Sequence, residues 1–146
     1  MKKEVVVFSE KAIISLMRRE PEELRQALKE LADRDLIGAF LVKDVAKFCG
    51  YYSENELAKF KKICVTKAYA NTTKIISRAD WYELAKVIRH PSEKLVFVTN
   101  TKNDLISTKK VGIKNVVLVG SFPELKNTKK TPTPVIKSIL GLPELI

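Results

Sequence analysis

Five short apolar runs constrain this chain more than any other feature: VVVF (5–8), LIGAFLV (36–42), a β-rich stretch within ICVTKAYANTTKII (63–76), KLVFVTN (94–100) and NVVLVG (115–120). Each is nearly continuous in Val, Ile, Leu and Phe and lacks the alternation of a strand with one wet face, so it reads as a strand buried on both faces. The segments between them carry apolar residues at helical spacing. Residues 12–19 (AIISLMRR) and 21–33 (PEELRQALKELAD) read as helices, the second with Pro21 at its first position, Glu22 and Glu23 in its first turn and Leu24, Leu28 and Leu31 as a buried stripe. Further helices are expected at about 44–49, from Ser53 with Glu56 at the capping-box position, from Ser77 with Trp81, Leu84, Ala85 and Ile88 inward, and over DLISTKKVG with Gly112 as its stop. Strands alternating with helices give an α/β, three-layer Rossmann-like fold: a parallel sheet of five principal strands, the first central, with helices on both faces. The tail after 126 reads as a polar loop, a short extended piece and a last helical turn.

The length of 146 residues and 45% hydrophobic content suit one domain, 1–146, with a real core. A net charge of +10 makes the surface attractive to phosphate and other anions, to nucleic acid or to an acidic protein partner. The basic residues are spread along the chain, as in a solvated, Lys-rich surface of a heat-adapted, thermostable protein. Cys49 and Cys64 are far apart and read as core thiols of a reducing compartment rather than a disulfide. His90 is the only histidine, which argues against a His-based metal site or a Ser-His-Asp triad. The apolar run at the N-terminus is too short for a signal peptide and nothing approaches a spanning segment, so a cytoplasmic protein without membrane association is expected.

In an open parallel sheet the ligand site lies beyond the carboxyl ends of the strands. That rule selects Ser9, Glu10 and Lys11 after the first run, Lys43 and Asp44 after the second, Ser77 and Arg78 near the third, and Thr99, Asn100, Thr101, Asn103 and Asp104 after the fourth. Cations, hydroxyls and amides dominate this set, and they favour an anion over a divalent metal, which wants converging carboxylates.

The segment EKLVFVTNTKNDLISTKKVGIKNVVLVG, residues 93–120, resembles the last core motif of the haloacid dehalogenase (HAD) superfamily: a strand, an acid-bearing loop, a helix, a Gly and a final strand. Asn103-Asp104 and Gly112 match that pattern, and Thr99-Asn100 stand where the family has Gly-Asp. VVVFSEKAI is then similar to the family's first motif, four hydrophobic residues followed by Asp-x-Asp-Gly-Thr, with Ser9 at the nucleophile, Lys11 at the acid/base Asp and Ala12-Ile13 for Gly-Thr. Val42 or Lys43 replaces the phosphate-binding Ser/Thr, and Ser77 or Arg78 the motif Lys. The tail TPVIKSILGLPELI is similar to the family's terminal strand and helix, and there is no room for a substantial cap domain.

The resemblance implies a phosphatase-like domain with degenerate catalytic motifs. The family's chemistry needs a carboxylate nucleophile, a second carboxylate for the proton and Mg²⁺. With Ser9 and Lys11 in those places, the expected protein is a pseudoenzyme, without a required metal or cofactor, whose old site is an anion pocket lined by Ser9, Lys11, Lys43, Thr99 and Asn100. Asp104 is expected either to pair with Lys11 or to serve as an acid at a helix N-terminus. Two alternatives stand beside this reading. One is a divergent active phosphatase or hydrolase using Mg²⁺ on Glu10, Asp44 and Asp104. The other is a PIN-like nuclease or nucleic-acid-binding protein, for which VFSEKAIISLMRREPEEL and FVTNTKNDL also suit the strand ends and Glu10, Asp44, Asp80 and Asp104 would form the acidic cluster.

Overall fold

The computed structural model describes residues 3–41, 61–65, 78–113, 115–120 and 134–146. In chain order these form β1 (Val5–Phe8), α1 (Glu10–Arg19), α2 (Pro21–Asp33), β2 (Ile37–Leu41), β3 (Lys61–Val65), α3 (Arg78–Ile88), β4 (Leu95–Thr99), α4 (Lys102–Val111), β5 (Val116–Val119), β6 (Val135–Ile136) and α5 (Leu142–Leu145). All strand pairings are parallel and the order across the sheet is β3-β2-β1-β4-β5-β6, with β1 inside the sheet. The five expected strands are present, and the short apolar piece of the tail adds the sixth at the edge.

Strand geometry sends successive side chains to opposite faces, and the two halves of the core follow from it. Val6 and Phe8 join Leu16, Leu24, Leu28, Leu31 and Phe40 under α1 and α2, where Phe8 stacks on Phe40 at 5.6 Å. Val5 and Val7 join Trp81, Leu84, Leu105 and Phe97 under α3 and α4, where Trp81 meets Phe97 edge-on at 6.2 Å. Every residue of β1, β4 and β5 is buried, at about 1.5–3 kcal/mol for each large side chain. Trp81 is therefore core, as its helical spacing predicts.

The tail is tied to α2. Glu20 accepts from the Ile139 backbone N–H at 2.9 Å and from the Ser138 hydroxyl at 3.3 Å, while Arg34 donates to the carbonyls of Pro143 at 2.6 Å and Ile146 at 3.1 Å. Between β1 and β2 the chain runs through α1 and α2, both packed on the sheet, and no cap domain stands there. No helix among the described residues is long and apolar enough to cross a membrane.

Three boundaries differ from expectation. Helix α1 starts at Glu10 rather than Ala12, because Ser9 caps it. Helix α4 starts at Lys102 rather than Asp104, because Thr101 caps it. Strand β3 starts at Lys61, two residues before the β-rich stretch, and residues 66–76 of that stretch lie outside the described residues. The helices expected at about 44–49 and from Ser53, together with Lys43, Asp44, Cys49 and Ser77, also lie outside them.

Candidate functional site at the carboxyl edge of the sheet

The parallel register decides which side chains meet at the sheet's carboxyl edge. Phe8 pairs with Val98, and the Ser9 N–H continues the ladder by donating to the Val98 carbonyl at 3.0 Å. Ser9, directly after β1, and Thr99, at the end of β4, consequently stand side by side, and both are buried, at 1% and 0% exposure. Ser9 has extended backbone geometry (φ −67°, ψ 154°) and its Oγ accepts from the Ala12 N–H at 3.2 Å. That is the work of a helix N-cap, which satisfies one of the free donors of the first turn. Glu10 is thus the first helical residue, and not part of an extended strand end.

Thr99 is the centre of the arrangement. Its Oγ1 donates to Asp104 Oδ2 at 2.8 Å and accepts from the Thr101 N–H at 3.4 Å, and the Ser9 hydroxyl approaches it at 3.5 Å. One proton given and two lone pairs occupied is the full capacity of a hydroxyl. Asp104 is itself buried, at 5% exposure, in the first turn of α4, and its N–H donates to the N-cap oxygen of Thr101 at 3.2 Å. A carboxylate suits this place, where the N-terminal half-charge of the helix favours it. Of the two roles expected for Asp104, the structure shows the helix N-terminal acid: its partner is Thr99, and among the described residues no ion pair joins it to Lys11.

Asn100 bridges the two strand ends. Its Nδ2 donates to the Lys11 carbonyl at 3.3 Å, while its Oδ1 is buried with no hydrogen-bond partner. Lys11 is exposed and lies with Glu10 on the outer side of α1, in a groove it shares with Ile14, Ser15, Arg18 and Arg19. The structure thus brings Ser9, Thr99 and Asp104 together, joins Asn100 to the Lys11 backbone, and places the Glu10 and Lys11 side chains in the groove along α1. Lys43 and Asp44 lie outside the described residues, as does the side chain of Arg78.

No protein-family model matches the chain, and no curated protein is similar to it in sequence. Solved structures are similar in fold. A HAD-superfamily hydrolase of subfamily IA, variant 1, from Geobacter sulfurreducens PCA superposes with a TM-score of 0.62 at 12% identity, over 100% of both chains. A predicted phosphoglycolate phosphatase from Haemophilus somnus 129PT gives 0.61 at 14% identity, over 85% of this chain and 56% of that one. CbbY from Rhodobacter sphaeroides, solved in complex with phosphate, gives 0.54 at 14% identity, over 90% and 61%. The fold is HAD-like. The chain spans less than two thirds of the length of the last two proteins. The PIN-like alternative expects more than one helix before the fourth strand, and from 78 to 94 the chain has α3 and a short 3-10 turn.

HAD-fold chemistry raises the question of a metal. A hard divalent ion needs several converging oxygens, normally more than one of them carboxylate. The described edge offers Asp104, with one oxygen already accepting from Thr99, beside a serine used as a cap. Among the described residues no three His, Cys, Asp or Glu side chains are grouped to hold a metal. The described donors alone do not fit Mg²⁺, and Asp44, the third carboxylate of the Mg²⁺ alternative, lies outside the described residues.

Sequence reasoning picked out Ser9, Thr99, Asn100 and Asp104 but missed how they connect. The signals were present: a Ser directly before a helical run is an N-cap pattern, and Thr101-x-x-Asp104 has capping-box spacing.

Proposed function

We propose that this HAD-like chain is a non-catalytic, pseudo-phosphatase-type domain with a binding or regulatory role, whose carboxyl edge accepts a small anion such as phosphate. The observation that carries the reading is the state of Ser9: where the family resemblance puts the nucleophile, the hydroxyl is buried and caps α1. Among the described residues Asp104 accepts from Thr99, and no hydrogen bond joins Ser9 to a base. The hydroxyls of Ser9 and Thr99 are buried beneath the edge. An anion above them would meet the remaining Nδ2 hydrogen of Asn100 and, once the exposed Lys11 side chain swings from the outer side of α1 toward the edge, the Lys11 ammonium. Lys43 belongs to the same proposed set.

Thermal unfolding in rising phosphate, with wild type and Lys11→Ala side by side, tests the anion site. Occupancy at ten times Kd stabilises by about 1.4 kcal/mol, a rise of roughly 3–6 °C for a chain of this size. The rise is expected in wild type and not in Lys11→Ala. Parallel curves for the two proteins would reduce the effect to phosphate's general action on protein surfaces and remove the site.

A further inference from the structure

We propose that the outer face of α1 is a docking groove for the phosphate backbone of a nucleic acid strand, contacted without reading its bases. Lys11, Ser15 and Arg18 fall at i, i+4 and i+7, which places them on one side of the helix, and Arg19 flanks them. Together with Glu10 and Ile14 they line a surface groove of about 420 Å³. Lys11, Arg18 and Arg19 are exposed, and none of the ion pairs among the described residues engages them. Among the described lining residues three cations stand against Glu10, on a chain whose total charge is already +10.

The spacing suits an extended polyanion. Lys11 and Arg18 are about 10 Å apart along the axis at 1.5 Å per residue, a span that serves successive phosphates of one strand better than a single small anion. Ser15 sits between them with a hydroxyl donor, a common phosphate contact. An acidic peptide fits less well, because peptide and protein partners anchor through buried aromatic or aliphatic side chains and, among the described residues, the one large apolar group lining this groove is the half-buried Ile14. No aromatic ring among the described residues lines it either, which suits a contact to the backbone rather than to the bases.

Arg18 and Arg19 lie in the last turn of α1, where cations also favour the helix dipole. The experiment therefore reads binding, with melting as a folding control. A short fluorescein-labelled oligouridylate is titrated by anisotropy at several salt concentrations with wild type, Arg18→Ala/Arg19→Ala and Lys109→Ala/Lys110→Ala. The last pair removes the same charge from α4, on the opposite layer of the sheet. Three phosphate contacts predict a slope of log K on log salt near −2, falling to about −0.7 in the α1 variant. The α4 variant is expected to keep the wild-type slope, and an oligodeoxyadenylate is expected to bind as the oligouridylate does. Equal losses in both variants would overturn the proposal in favour of diffuse charge. It also falls if the wild type does not bind at low salt, or if polyglutamate displaces the strand as well as unlabelled oligouridylate does. Lys11 is intact in the α1 variant, so the outcome is separate from that of the phosphate site.

Discussion

The ends of β1 and β4 are neighbours in the sheet, and each passes from a buried strand into a capped helix, yet they are built differently. At β1 the residue directly after the strand is itself the cap: Ser9 follows Phe8, and α1 begins at once. At β4 the tasks are divided. Thr99 ends the strand, Thr101 caps α4, and Asn100 lies between. The division frees the Thr99 hydroxyl to hold Asp104. Polar side chains at the two strand ends are thus tied into local structure by two routes. At β1 the resemblance to the HAD motif puts a cap where a nucleophile would stand; at β4 the matching acid remains and faces inward onto a threonine.

Of the two strand ends, the larger loss on substitution is expected at Thr99. Thr99→Val keeps the shape of the side chain but strips the hydroxyl from Asp104, Thr101 and Ser9 together. Leaving a buried carboxylate oxygen without its donor costs about 3 kcal/mol. The expected outcome is a fall in melting temperature of roughly 10 °C; a fall below about 3 °C would mean that Asp104 does not depend on Thr99. Ser9→Ala is expected to cost about 1 kcal/mol, the ordinary value of an N-cap, read from the midpoint of urea unfolding. A loss as large as that of Thr99→Val would show that Ser9 shares the central role, and the asymmetry between the two strand ends would disappear.

Much of the architecture was legible because burial on both faces leaves a strong mark in sequence. VVVF and KLVFVTN have no polar face to lose, and they appear as β1 and β4 within one residue of expectation. The stripe of Leu24, Leu28 and Leu31 is buried as its spacing requires. The site was legible by residue and not by connection. Ser9, Glu10 and Lys11 read as a polar strand end, but a serine before a helical run offers its oxygen to the helix. That local bond moved the start of α1 back and placed the Glu10 and Lys11 side chains in the groove along α1. The contact between Thr99 and Asp104 follows from the turn into α4, and the orphaned Oδ1 of Asn100 from the closeness of two strand ends, which no one-dimensional pattern records.

The non-catalytic function proposed above requires that the carboxyl edge carry no phosphatase chemistry. The most direct measurement is hydrolysis of a generic aryl phosphate with and without Mg²⁺, by wild type and Asp104→Asn. No turnover above background is expected in either protein, with or without the metal. Mg²⁺-dependent turnover in wild type that Asp104→Asn abolishes would contradict it, and would assign Asp104 to a working active site.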